Sequence, residues 1–133
     1  MVTPTQNQYQ RLHEILDQMT MRGGFTLSVL IDENGFPIAY SGGDENTSEA
    51  QSAAIAHIQK WIEQALGQID MAEPDELALN DTNGCRLVCR SFETSNGRLF
   101  LAVQIPNRYQ PYRKAMNHTI RSIKSSWSAV GME

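Results

Sequence analysis

Three stretches of the chain repeat apolar residues at helical spacing, and five shorter ones alternate them with a period of two. In residues 6–21, "QNQYQRLHEILDQMTM", Tyr9, Leu12, Ile15, Leu16 and Met19 share one side of a helix, which Arg22-Gly23-Gly24 closes. "FTLSVLID" then sets Phe25, Leu27, Val29 and Ile31 against Thr26, Ser28, Leu30 and Asp32, which reads as a strand. Phe36, Ile38 and Tyr40 alternate in the next run. Asn34-Gly35 between the two runs predicts a hairpin, because both residues tolerate positive φ. Pro37 has no amide to donate, which puts the second strand at an edge or aims that position away from its partner strand. Asp32 and Glu33 are adjacent carboxylates at the strand end, where neighbouring side chains point apart. With no third group beside them they read as turn residues, not an acid–base pair.

"GGDENTSEAQS" predicts a loop feeding a second helix, with Thr47 or Ser48 as N-cap and Ser48 with Gln51 at capping-box spacing. That helix runs to about Ile69, and Glu49 lies in its first turn, where the dipole favours an anion. Three strands follow, "ELALN", "CRLVCRSFE" and "RLFLAVQIP", joined by turns at Asn83-Gly84 and Asn96-Gly97. Pro111 opens a last helix with Tyr112, Met116, Thr119, Ile120, Ile123 and Trp127 inward. The order is helix, two strands, helix, three strands, helix (αββαβββα). Strand residues are apolar on both faces, Leu87 and Cys89 against Val88 and Phe92, Leu101 and Val103 against Phe100 and Ala102. Such a sheet needs cover on both sides, so the fold class is a three-layer α/β/α sandwich around a five-stranded, mainly antiparallel sheet.

The middle helix carries more apolar surface than one sheet face requires. Ile55, Ile58, Ile62, Leu66 and Ile69 form a core stripe, while Ala50, Ala54, His57, Trp61 and Ala65 form a second row about 125° around the helix. Ser52, Gln59, Lys60 and Glu63 are left as the polar face. Small residues let two backbones approach and a large aromatic suits an interface centre, so the second row is expected to meet a second subunit. His57 reads as a packed or hydrogen-bonded histidine within that row.

Composition adds limits. A chain of 133 residues suits one domain, long enough to bury roughly two thirds of its unfolded surface. Hydrophobic content of 41% and charged content of 20% fit an ordinary globular chain. No apolar run approaches the roughly 20 residues of a membrane span, and "MVTPTQNQYQ" lacks the parts of a secretory signal, so membrane insertion is not expected and a cytoplasmic location is. Cys85 and Cys89, four apart on a strand, read as free thiols, and His13, His57 and His118 are too scattered for a metal site. The net charge of −4 argues against nucleic-acid binding, but it is uneven. Acidic residues crowd the middle, at Asp44, Glu45, Glu49, Asp70, Glu73, Asp75 and Glu76. Thr94–Met132 contains none, leaving Arg113, Lys114, Arg121 and Lys124 as a basic patch able to face a partner.

No GxxxxGK[ST], GxSxG, HExxH or CxxC pattern occurs, so neither a nucleotide-holding loop nor a hydrolase, zinc or redox motif supplies chemistry. No catalytic residue and no cofactor are assigned, and a binding or scaffold protein is the expected class.

The element order and the wording Ile31-Asp32-Glu33-Asn34-Gly35-Phe36-Pro37-Ile38-Ala39, followed by a helix, "CRLVCRSFETSNGRLFLAV" and a terminal helix, resemble the roadblock family. That family takes its name from dynein light chains and includes the bacterial MglB proteins. The likeness spans about residues 8–128, and the architecture is shared with longin and profilin-like sandwiches. It implies a non-enzymatic homodimer whose middle helices pair and whose sheets join edge to edge. Here Ala50, Ala54, His57, Trp61 and Ala65 would form the helix contact, and Leu77 and Leu79 of "ELALN" would lie on the joining strand. It also implies a small Ras-like GTPase as partner, with regulation of its nucleotide state or placement. Two alternatives stand beside it. One is a small-molecule-sensing regulatory domain, with Tyr40, Phe92 and Tyr112 lining a pocket; the other is a structural scaffold subunit without a GTPase partner.

Overall fold

Eight elements follow one another as α1 (Gln6–Gly23), β1 (Leu27–Asp32), β2 (Pro37–Gly42), α2 (Ser48–Gln68), β3 (Glu76–Asn80), β4 (Arg86–Thr94), β5 (Gly97–Ile105) and α3 (Arg113–Gly131). This is the αββαβββα order read from the apolar pattern. The computed structural model describes residues 5–44 and 46–131. The N-terminal "MVTP", Glu45 of the acidic middle, and Met132 lie outside the described residues. The strands form one antiparallel sheet in the order β2-β1-β5-β4-β3, so β2 and β3 are its edges. Pro37 sits on the β2 edge, as its missing amide requires.

The period-two pattern divides the side chains between two cores. Leu30, Val88, Phe92, Leu99, Leu101, Val103 and Ile105 pack under Leu12, Leu16 and Met19 of α1 and Met116, Ile120, Ile123 and Trp127 of α3. On the opposite face Leu27, Val29, Ile31, Cys89, Phe100 and Ala102 pack under Ile55 and Ala56 of α2. The result is a three-layer α/β/α sandwich with two helices on one side and one on the other.

The turns between strands share a device beyond their Asn-Gly pair. In Asp32-Glu33-Asn34-Gly35, Oδ1 of Asp32 accepts the backbone amides of Asn34 and Phe36, each at 2.9 Å. In Asp81-Thr82-Asn83-Gly84, Oδ1 of Asp81 accepts those of Asn83 at 2.9 Å and Cys85 at 2.8 Å. Thr94 takes the same place before Ser95-Asn96-Gly97, its Oγ1 accepting the Asn96 amide at 3.2 Å. The glycines alone take positive φ, 87° at Gly35 and 88° at Gly84; the asparagines do not. The hairpin stands where Asn34-Gly35 predicted it, but of the two residues that tolerate positive φ only the glycine uses it. The side-chain oxygen two residues before each asparagine organises the loop, and only the glycine needs the left-handed region. Asp32 is thus a turn residue, as its position predicted.

Helix capping also differs from expectation. Thr47 makes no side-chain cap, and α2 begins behind a turn in which the Asp44 carbonyl accepts the Thr47 and Ser48 amides. The capping box lies instead at α1. There Oγ1 of Thr5 accepts the Gln8 amide at 3.2 Å and Oε1 of Gln8 accepts the Thr5 amide at 2.7 Å. Cys85 falls just before β4, so it does not share a strand face with Cys89; both thiols are free.

Candidate functional site

α2 rests on β1 and β2, toward one edge of the sheet. Its buried stripe is Ser48, Ser52, Ile55, Ala56 and Gln59. This corrects the expected core stripe of five aliphatic residues with Ser52 and Gln59 outside. Ser48, Ser52 and Ala56 are small, which suits close approach of the helix to the sheet, and Oγ of Ser52 donates to the Ser48 carbonyl at 2.7 Å. That bond satisfies the hydroxyl within the helix itself, so burying it costs little. Ile55 stays inside, Ile62 and Leu66 are half-buried, and Ile58 and Ile69 are 37% and 65% exposed.

The helix is therefore rotated relative to the hydropathy reading, and the rotation exposes an apolar sector. Ala50, Ala54 and His57 are exposed, Trp61 is 65% exposed, and Ala65 is half-buried. Taking about 100° per residue, Ile58, Ala65, Ala54 and Trp61 follow one another from about 60° to 120° around from Ile55. They lie on the flank away from Glu49 and Ala53, which border β2. The same flank of α2 meets β3 and β4 in a shallow groove lined by Ile55, Ile58, Ile62, Leu77, Leu79 and Leu87. Leu77 pairs with Cys89 and Leu79 with Leu87, so all four point to the α2 side. Leu77 and Leu87 are half-buried and Leu79 is 44% exposed. The outward row of α2 and the α2-facing leucines of β3 thus bound one apolar surface, which ends at the free backbone edge of β3.

Polar groups fix this surface from beneath. Nη1 of Arg98, on β5, lies 2.8 Å from Oε1 of Glu63 and 2.9 Å from Oε2 of Glu73, and its Nη2 donates to the Pro74 carbonyl at 3.3 Å. One guanidinium, stacked 4.7 Å over the Phe100 ring, ties α2 to the segment that delivers β3. Cys89 lies in the same interior. Burial, chiefly, and the Glu63 charge, against the opposing pull of Arg98, together push its thiol up to about 12. A thiol held neutral in this way is a poor nucleophile.

On the other face of the sheet Glu76 lies 3.2 Å from Arg113 and 3.7 Å from Arg90, and the Tyr112 hydroxyl donates to it at 3.4 Å. Arg113, Lys114, Arg121 and Lys124 are all exposed, and Arg113 is the one of the four with a carboxylate within 4 Å among the described residues. Tyr40, Phe92 and Tyr112 do not converge. Phe92 and Tyr112 belong to the α1/α3 core, whereas Tyr40 packs on the α2 side. Tyr40 instead borders a cleft of about 550 Å³ over the β2 edge, with Tyr9 and His13 of α1 and Glu49 of α2. Among the described residues no group of three or more His, Cys, Asp or Glu side chains is placed to hold a metal. No described helix is long and apolar enough to cross a membrane.

No family model matches the sequence, and no curated protein matches it. Solved structures do resemble it. MglB of Myxococcus xanthus aligns with a TM-score of 0.66 at 15% identity, covering 99% of this chain and 95% of that one. An MglB described as having a tetrameric arrangement gives 0.69 at 15% identity, covering 97% and 93%. A Roadblock/LC7 domain from Streptomyces avermitilis gives 0.66 at 15% identity, covering 89% and 96%. The likeness is one of fold over nearly the whole chain, and the architecture is that of a roadblock-type domain.

Proposed function

We propose that this chain is a non-enzymatic roadblock-type adaptor, a single domain acting as a homodimer in the cytoplasm. Its α2 helices pair through Ala50, Ala54, His57, Trp61 and Ala65, and its β3 edges join beside Leu77 and Leu79. A small Ras-like GTPase docks across the paired helices and has its nucleotide state or placement regulated. The observation that carries this reading is the continuous apolar surface from Trp61 through Ile58 to Leu79, ending at an unpaired strand edge. Exposed apolar surface beside a free edge is an aggregation hazard in a solitary protein, and a second copy covers both. The roadblock-type fold supports the same arrangement.

Size-exclusion chromatography with light scattering on wild type and Trp61→Arg tests the assembly. A dimeric wild type and a monomeric variant are expected; the same species from both would sink the interface. A pull-down with the protein loaded against GTP or GDP analogue tests the partner, and recovery of no P-loop protein in either state counts against it.

A second reading, a small-molecule-sensing regulatory domain, is favoured by the cleft bounded by Tyr9, His13, Tyr40 and Glu49. A thermal-shift screen with nucleotides and metabolites separates the two, since a ligand held only by the folded state raises the Tm.

A further inference from the structure

Charge is sorted between the two helical layers. α3 carries Arg113, Lys114, Arg121 and Lys124 and no acid among its residues, and α1 adds Arg11 and Arg22. Of the two acids on α1, Asp17 is turned toward the sheet edge, bonded to the Ser41 hydroxyl and 3.7 Å from His13. Glu14 remains, in a cleft of about 240 Å³ between α1 and α3 whose other charged or titratable walls are Arg11, Arg22 and His118. None of Arg11, Arg22, Lys114, Arg121 and Lys124 has a carboxylate within 4 Å among the described residues. On the α2 side the balance is reversed, with Glu49, Glu63, Asp70, Glu73 and Asp75 against Lys60 and Arg98, the latter already paired with Glu63 and Glu73.

We infer that the α1/α3 layer docks on an anionic membrane surface. The inference rests on the dimer proposed above. A two-fold axis that pairs α2 with α2 and joins the β3 edges into one sheet must run perpendicular to that sheet. Both α1/α3 layers then lie on the same face, opposite the paired α2 helices. Their unpaired cations are spread along two adjacent helices per protomer, and a planar polyanion meets such a spread without a deep pocket. The protein partner and the bilayer would then occupy opposite faces of one adaptor.

Flotation with vesicles of phosphatidylcholine alone, and of phosphatidylcholine with phosphatidylglycerol, tests the inference. Wild type is expected to float with the anionic vesicles only, and to be released by added salt. A cation near such a surface is worth about fivefold in partition, and Arg22→Gln with Lys114→Gln and Arg121→Gln removes both copies of each from the dimer, so binding should fall on the order of ten-thousandfold. These positions are exposed and glutamine keeps the helix, so the variant should retain the wild-type melting curve. Equal binding to both vesicle types, no binding, or undiminished binding by the triple variant overturns the inference. Capture by immobilised polyglutamate without flotation also overturns it, assigning the face to an acidic protein segment. Light scattering on the same samples reads the oligomer separately. A monomeric wild type sinks the dimer reading, while a dimer that fails to float leaves that reading standing and removes this one.

Discussion

Arg98 on β5 and Glu63 on α2 lie 2.8 Å apart, Nη1 to Oε1, with side-chain exposures of only 14% and 23%. Thirty-five residues separate them in sequence. Their contact is the polar tie between the sheet interior and the helix that carries the candidate interface. Removing the arginine would leave Glu63 charged and mostly enclosed. Arg98→Met is therefore expected to destabilise the fold by about 2 kcal/mol, below the full cost of breaking a fully buried pair because water still reaches both groups. The Glu73 arm, 69% exposed on its acid, adds little to that. Adding Glu63→Gln should recover part of the loss. Urea unfolding of the two variants measures both, and an unchanged midpoint for Arg98→Met would remove the tie.

The aspartates before the Asn-Gly turns give a second prediction. Each accepts two backbone amides that would otherwise lack a partner within the loop. Asp32→Ala and Asp81→Ala should each cost about 1–2 kcal/mol, and the corresponding Asn substitutions, which keep an acceptor, clearly less. Equal losses for Ala and Asn would show that charge, not hydrogen bonding, matters at these positions.

Two glycines separate conformational cost from crowding. Gly84 has φ 88° and open space where a Cβ would stand, so Gly84→Ala should cost only about 1 kcal/mol, from the left-handed backbone alone. Gly42 has φ 85°, and a Cβ there would stand 2.5 Å from the Thr26 carbonyl oxygen. Gly42→Ala should therefore melt well below Gly84→Ala. Similar thermal midpoints for the two would mean that the β2 end yields without strain.

Period-two alternation made the sheet readable, because a strand has two faces and both were apolar. Leu87 and Cys89 do part from Val88 and Phe92, as alternation alone requires. The rotation of α2 was not readable in the same way. Hydropathy put Ile58 and Ile69 inside and Ser52 outside, whereas small residues line the inner stripe and Ile69 is left outward. Serine that bonds its own helix backbone is cheap to bury, and that compensation is invisible to a scale that ranks side chains alone. Trp61 and the alanine row were legible as surplus apolar surface. The contribution of Leu87 to the groove follows only from its register with Leu79, which no local pattern states. Asp32 was legible as a turn residue, but its two amide bonds, the same device at Asp81, and the Thr5-Gln8 capping box depend on side-chain oxygens meeting backbone amides, which apolar periodicity does not encode.

Gln59 offers a prediction that separates monomer from assembly. It is buried on α2, its Oε1 has no partner among the described residues, and its Nε2 reaches Glu63 only at 3.4 Å. Glu63 keeps Arg98 without it. In an isolated protomer, Gln59→Leu should be neutral or stabilising by up to about 1 kcal/mol, since an unpaired buried acceptor is replaced by an apolar group. A clear loss of stability would mean that Oε1 is bonded in solution. If that loss appears only at protein concentrations where light scattering shows a dimer, the donor belongs to the second copy.

The alkaline limb of stability should report Cys89. Its thiol is raised from 9.0 to about 12 in the folded chain, chiefly by burial. Above pH 9 the unfolded chain gives up this proton while the folded chain keeps it, so the unfolded state binds fewer protons and stability falls as pH rises. The contribution is complete below pH 9 and is lost between about 9 and 12. Cys89→Ala should flatten that part of the profile relative to wild type, even though it lowers stability at neutral pH by leaving a small void. In the native protein at pH 8, the half-buried Cys85 should react with a thiol reagent well before Cys89, which waits for unfolding. Two thiols titrating together at the rate of an exposed cysteine would show that the interior beneath α2 is open, and with it that the groove beside Leu77 has no firm floor.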